Sequence, residues 1–222
     1  KMILIAIVYS ANQMTGEALR HIFKADRSIR VEFSTSQETL IEKALEMKPE
    51  CIILDISLRD SFYLIYMIRN HFPAVPVIFI QKYFLFSDRI ISEYFGHIFL
   101  YEYDAVLCAY PDFTPLDLFR QDVFSGTHCS GGVFLHDRYT GMTDMSLRQH
   151  LNDYLRHRLA GLVTSERIRE VVMDWLVCGL SVAETGKCAQ ISDKVVYLYR
   201  RQVMNMIGIK NFSREFIQSL KI

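Results

Sequence analysis

The sequence predicts two folds in series, an α/β domain on a parallel sheet followed by an all-α domain. Three observations carry this. Apolar runs of strand length alternate with segments of helical spacing over the first 80 residues. The alternation is over by Gly126, and from Leu147 onward only helical periodicity remains. The charge divides along the same line. The chain carries 25 Lys/Arg and 25 Asp/Glu, but residues 146–222 hold 12 of the bases and 7 of the acids, leaving 13 and 18 before them. An acidic front and a basic back imply two tasks, the second facing a polyanion.

The elements follow in order. Met2–Tyr9 is a continuous apolar run, the mark of a strand buried on both faces. Gly16–Phe23 places Ala18, Leu19, Ile22 and Phe23 at helical spacing. Ile29–Phe33 reads as a short strand and Gln37–Met47 as an amphipathic helix ending before Pro49. Cys51–Ile56 is a second buried strand, Tyr63–Phe72 a helix stopped by Pro73, and Val75–Ile80 a third buried strand. Beyond Ile80 the pattern is rich in aromatics. Ala105–Ala109 is the candidate last strand, Leu116–Phe124 the candidate last helix, and 126–141 reads as loop. Leu147, Leu151, Leu155 and Leu159 then restore a helical stripe, with Arg148, Arg156 and Arg158 on its solvent side. The expected organisation is a domain over 1–126, a linker containing a helix over 127–161, and a helical domain over 162–222.

At 222 residues, half of them hydrophobic and 23% charged, the chain has room for two small packed domains and is not a disordered polymer. No apolar run reaches the roughly 18–20 residues of a membrane span, and no signal-peptide cleavage pattern follows the opening run. The five cysteines are odd in number and form no CxxC pair; most lie in apolar segments, as core thiols do, so a reducing cytoplasmic home is expected. There is no phosphate-binding glycine loop, nucleophile elbow or zincin motif. His128, Cys129 and His136 match no metal-site spacing and read as loop residues. No catalytic residue, cofactor or metal is expected. Trp175, among Val171, Val172 and Leu176, reads as core.

The informative segment is Gly179–Asn211, GLSVAETGKCAQISDKVVYLYRRQVMNMIGIKN. A helix over Val182–Ala189 is followed by a tight turn reaching Ile191. Ser192 is a good N-cap, and a second helix over Asp193–Ile207 turns Val196, Val203 and Ile207 to the core. Lys194, Tyr197, Leu198 and Arg201 fall on the opposite face, and Arg200 lies between the two. A second helix with an exposed N-terminal half is the geometry that enters a DNA major groove.

This segment resembles the LuxR/NarL-type DNA-binding domain, whose pattern GLSNKEIAxxLxISxxTVKxHRxNIxxKLGVxN it follows without a gap. Gly179, Leu180, Ser181, Glu184, Ile191, Ser192, Val196, Arg200, Gly208 and Asn211 are retained. Val195 stands where the family has Thr, Tyr197 and Met206 where it has Lys, and Tyr199 where it has His. Val163-Thr164 is similar to the family's Leu-Thr opening but lies two residues too far from Gly179. The resemblance implies that Tyr197, Leu198 and Arg201 read bases and that Lys194, Arg200 and Lys210 hold phosphates.

The first half resembles the receiver domain of response regulators, a flavodoxin-like parallel sheet, over about residues 2–126. Ile52–Leu58 matches the strand that ends in the phosphoacceptor aspartate, which places Asp55 at that position, and Asn70–Ile80 matches the next helix end and strand. The other phosphorylation groups are missing. The acidic pair that holds magnesium falls at Ile7-Val8 or Ser10-Ala11, the hydroxyl residue at Gln81, and the lysine at Cys108 or Ala109. Asp55 is therefore expected to be inactive as a phosphoacceptor. The expected protein is a phosphorylation-independent DNA-binding transcription regulator. It acts on double-stranded DNA as a homodimer or as a heterodimer with another regulator, and not at a membrane. The alternative is a regulator-like protein that acts mainly by pairing with another regulator, its own DNA contacts being weak. Eight aromatics between Tyr83 and Tyr103 (Tyr83, Phe84, Phe86, Tyr94, Phe95, Phe99, Tyr101 and Tyr103) are expected to leave an apolar contact surface on the first domain.

Overall fold

The computed structural model describes residues 4–24, 29–108, 127–129, 134, 141–211 and 214–222. The chain separates into two compact units, one of residues 1–84 and 91–141, the other of residues 85–90 and 142–222.

The first unit is built on β1 (Leu4–Ser10), β2 (Ile29–Ser34), β3 (Cys51–Asp55), β4 (Val77–Gln81), β5 (Ile98–Glu102) and β6 (Thr127–Cys129), in the order β2-β1-β3-β4-β5-β6. The first five run parallel, and β6 pairs antiparallel with β5. Helices α1 (Gln13–Lys24), α2 (Gln37–Met47), α3 (Phe62–His71) and α4 (Phe86–Phe95, whose residues 86–90 group with the second unit) supply the crossovers, and α5 (Tyr103–Cys108) follows β5. The apolar runs behave as strands buried on both faces should: every residue of β3 and Val77–Ile80 of β4 is buried. Local chemistry starts the helices where the periodicity places them. Ser36 and Thr39 form a reciprocal capping box at the head of α2.

Three sequence expectations differ from the structure. The last parallel strand is Ile98–Glu102, and Ala105–Cys108 of the expected strand lies in α5. In β5, Ile98, Leu100 and Tyr101 are buried with the aromatic Phe99 between them, so the run is not the unbroken aliphatic stretch of β3. The aromatic surface is also absent. Tyr94, Phe95 and Tyr101 are buried, Phe84, Phe86, Phe99 and Tyr103 are half-buried, and Tyr83 alone of the eight is exposed. The rings of Tyr66, Tyr94 and Phe95 lie 5.7, 6.2 and 5.2 Å from that of Phe134, an internal aromatic cluster. The segment expected to be loop contributes β6 at 127–129, while the expected helix over Leu116–Phe124 lies outside the described residues.

A guanidinium joins two turns of this unit. Arg69 on α3 is 2% exposed. It donates to the carbonyls of Gly96 (2.8 Å), His97 (2.9 Å), Val75 (2.6 Å) and Phe72 (3.4 Å). Gly96 and His97 are both left-handed, φ 69° and 51°, at the turn whose carbonyls Arg69 gathers. Burial without a carboxylate pulls its pKa down to about 10, so the charge is kept by the carbonyl dipoles.

The second unit is helical. Its elements are α6 (Asp144–Leu162), α7 (Glu166–Arg169) running directly into a π-helical stretch (Glu170–Leu176), α8 (Val182–Ala189), α9 (Asp193–Met206) and α10 (Phe216–Leu220). Leu147, Leu151, Leu155 and Leu159 of α6 are all fully buried, as the stripe requires, and α6 belongs to this unit. Bonds of π type run from Val177 N–H to Val172 O (3.1 Å) and from Leu180 N–H to Trp175 O (2.9 Å). A π turn takes in an extra residue without breaking the helix. Val171, Val172, Met173 and Leu176 stay buried through this stretch. Trp175 is half-buried against the same core.

Of the cysteines, Cys51 is buried but Cys108, Cys178 and Cys188 are free and exposed, a correction to the reading of most as core thiols. No helix among the described residues is long and apolar enough to cross a membrane.

Arg69→Lys keeps the charge but cannot reach four carbonyls at once. It is expected to destabilise the protein by about 1–3 kcal/mol, read from the urea midpoint against the wild type.

Candidate functional site

The pair α8–α9 is set by its turn. Ser181 caps α8: its Oγ accepts from Glu184 N–H at 3.2 Å, and the Glu184 carboxylate accepts from Ser181 N–H at 2.8 Å. The bonds from the Ser181 hydroxyl and backbone hold the Glu184 carboxyl below its usual range. The helix ends at Gln190 in the left-handed conformation, φ 55°. Ile191 N–H then returns to Gly186 O at 2.9 Å. That return brings Ile191 O so close that a Cβ on Gly186 would lie 2.8 Å from it, and 3.1 Å from Asp193 Oδ1. Only glycine permits this approach at position 186. Ser192 takes the extended cap conformation expected of it, but its hydroxyl makes no capping bond.

On α9, Val196, Val203 and Met204 face inward. Lys194, Tyr197, Leu198 and Arg201 are exposed, with Tyr197 at 57% and Leu198 at 52%. Their spacing of i, i+3, i+4 and i+7 puts them on one helix face. Lys210 is exposed beyond the end of α9, after the left-handed Gly208. Arg200 differs: it is half-buried, and its guanidinium carbon lies 4.8 Å from the ring centre of Phe216, a cation–π contact that fixes it. Gln202 and Asn205 are exposed as well and extend the outward face toward its C-terminal end. The sequence reading missed them, although they continue the stripe from Leu198 and Arg201. Side-chain amides are the groups that pair with adenine edges.

The second cluster lies at the C-terminal ends of the sheet strands. The β1–β3 register pairs Ser10 with Asp55, so the end of β1 beside Asp55 carries Ser10 and Ala11 and no acid. β5 ends at Glu102, so Cys108 lies in α5 rather than directly after the last parallel strand. Ser10 Oγ shares its one proton between Asp55 Oδ2 at 2.5 Å and Asn12 O at 2.7 Å, and the Tyr103 hydroxyl donates to Asp55 Oδ1. The Gln81 amide donates to Ile56 O beside them. Asp55 is 6% exposed. Burial raises its pKa, opposed by the Ser10 hydrogen bond. The side chains of His128, Cys129 and His136 lie outside the described residues. Among the described ones, no group of three or more His, Cys, Asp or Glu is placed to hold a metal ion.

With both units in view, the comparison with solved structures decides the architecture. The two-component response regulator RcsB in complex with DNA superposes with a TM-score of 0.64 at 15% identity, covering 98% of this chain and 98% of that one. The chain has the fold of a two-domain response regulator. RcsB dimers bound to two parallel DNAs give 0.59 at 15% identity, with the same coverage of both chains. RcsB from Salmonella enterica serovar Typhimurium on the rprA promoter, with a phosphomimetic, gives 0.58 at 16%, again covering 98% of each. No family model matches the sequence, and no curated protein matches it either. The response-regulator fold is thus reached with the Asp55 surroundings rebuilt from hydroxyl groups.

Two outcomes follow. In an exposed helix, Gly→Ala stabilises by about 0.8–1.0 kcal/mol. Gly186→Ala is expected to do the reverse and destabilise by about 1–3 kcal/mol, measured by denaturant titration. For Asp55 the raised pKa means that the folded chain holds the proton more tightly than the unfolded one. Its contribution is full below the ordinary value of 3.8 and is lost as the pH rises through the raised folded value. The stability of wild type minus that of Asp55→Asn should therefore fall with rising pH over that window. A difference that grows with pH contradicts the assignment.

Proposed function

We propose that the chain is a DNA-binding transcription regulator that acts as a dimer on double-stranded DNA without phosphorylation, with α9 as its reading helix. The observation that carries this reading is the outward face of α9: two cations, an aromatic and a leucine exposed at one helical spacing on the second helix of a tight helix-turn-helix. Arginine matches the guanine edge, leucine meets the thymine methyl, and an N-terminal lysine reaches phosphate. In this arrangement Tyr197, Leu198 and Arg201 read bases, while Lys194, Arg200 and Lys210 bind the backbone. Solved RcsB chains of the same fold are bound to DNA, in one case as dimers, which supports both the ligand and the assembly. Two half-sites give so small a module its affinity. The protein acts by binding rather than catalysis, and its exposed free thiols fit a reducing, cytoplasmic compartment.

A second reading has its own observation. Tyr197, Leu198 and Met206 put three large apolar groups on the outside of α9, at 57%, 52% and 49% exposure. Such a surface also suits pairing with another regulator, with DNA contacts that are weak.

The test separates base readers from phosphate holders. Arg201→Ala should lose about 1–3 kcal/mol on the preferred duplex and flatten preference at one base pair. Lys194→Ala and Lys210→Ala should weaken all sequences alike and each reduce the salt slope by about one. Affinity measured by fluorescence anisotropy at several salt concentrations gives both readouts. A folded chain that binds no duplex at low salt, but binds a second regulator, favours the pairing reading.

A further inference from the structure

Receivers transfer a phosphoryl group to an aspartate with the help of magnesium, and the residues around Asp55 do not fit that ion. A hard divalent cation takes carboxylate and carbonyl oxygens. The end of β1 offers Ser10 and Ala11 in place of the acidic pair, and Asp55, the one carboxylate in the cluster, already accepts a hydroxyl proton on each of its oxygens.

We propose that Ser10, Asp55 and Tyr103 form an internal latch that takes the place of phosphorylation and holds α5 in a single position. The geometry gives each group a distinct part. Asp55 closes β3. Its Oδ2 is held by Ser10 from β1, its backbone carbonyl accepts from Ala11 N–H at 3.2 Å, and its Oδ1 is held by Tyr103, the first residue of α5. Gln81 at the end of β4 is tied to Ile56, the residue after Asp55. One carboxylate therefore connects the ends of β1 and β3 to the start of α5.

What depends on the latch is α5 itself. Of its six residues, Asp104, Ala105, Leu107 and Cys108 are exposed and Val106 is buried. The Val106 side chain and the Tyr103 ring both pack against the core of the sheet, and the phenol hydroxyl adds the bond to Asp55. Removing the hydroxyl leaves the packing and takes away this polar tie between α5 and the end of β3. The same hydrogen bonds draw on one lone pair of each oxygen with which Asp55 would attack a phosphorus centre, which lowers its nucleophilicity. The latch thus weakens the nucleophile and favours one position of α5.

The inference rests on the reading of the N-terminal unit as phosphorylation-independent, not on DNA recognition, and one experiment distinguishes the two. The full-length wild type is incubated with acetyl phosphate and magnesium, and the bound phosphate is measured. Hydrogen exchange over residues 103–108 is then followed in the wild type, with and without the donor, and in Tyr103→Phe, which keeps the ring and removes the hydroxyl. The latch predicts no label, no change in exchange with the donor, and about tenfold faster exchange of 103–108 in Tyr103→Phe, the size of one lost hydrogen bond. Asp55→Ala should match that increase, and the double variant should add nothing to it. If Tyr103→Phe does not fold, Asp55→Asn, which keeps one acceptor oxygen, carries the comparison with a smaller increase. An unlabelled wild type whose exchange is the same in the folded variants overturns the latch and leaves phosphorylation independence standing. Stoichiometric label on Asp55 overturns both.

Discussion

The carbonyl of Ile191 sits where a side chain on residue 186 would begin, and the outward face of α9 depends on that contact. The turn is closed by Ile191 N–H on Gly186 O, and Asp193 and Val196 crowd the same glycine. With the two helices fixed at this approach, Val196 and Val203 are committed to the core. The helical period then sends Lys194, Tyr197, Leu198 and Arg201 to the opposite side. None of those four needs a partner within the protein to hold its direction. Arg200, a quarter-turn away, is caught over Phe216 and becomes part of the packing edge of the helix. Any reading of DNA by this chain is thus a consequence of backbone proximity, with side-chain chemistry laid over it.

The N-terminal unit solves a different problem. A sheet whose strand ends carry a buried aspartate must supply it with partners, because an unpaired carboxylate in that setting is costly. Where phosphorylated receivers draw on an ion and a lysine, this chain uses two hydroxyls, one from Ser10 and one from Tyr103. Arg69 handles the remaining mismatch at the other end of the sheet by gathering carbonyls from two turns. Both arrangements bring polar groups from separate elements onto one buried side chain.

The helix-turn-helix was legible because its signals are local. A cap at Ser181, the spacing from GLS to IS to GIKN and the apolar beat of Val196, Val203 and Ile207 all act within a few turns of chain, and the structure places α8 at Val182–Ala189 as read. The buried strands β1, β3 and β4 were legible for the same reason. What escaped depended on contacts far apart in sequence. β5 mixes aliphatic and aromatic residues and ends on a charge, and its burial is decided by the sheet core around Tyr101, so Ile98–Glu102 did not look like its neighbours. The displacement of that strand by several residues put Cys108 in α5 and hid Tyr103 as the hydroxyl partner of Asp55. The exposed thiols of Cys178 and Cys188 flank helix ends, where apolar neighbours in sequence do not imply burial in space.

The central claim is that α9 reads DNA sequence, and selection from a random duplex library tests it most directly. The full-length chain is carried through repeated rounds of binding at low salt, beside a variant with Tyr197, Leu198 and Arg201 all changed to alanine and its helical content verified. The account predicts one recurring motif enriched by the wild type, arranged as two half-sites about one helical turn apart, and lost in the variant. A folded wild type that enriches no motif, or a variant that enriches the same one, would contradict it.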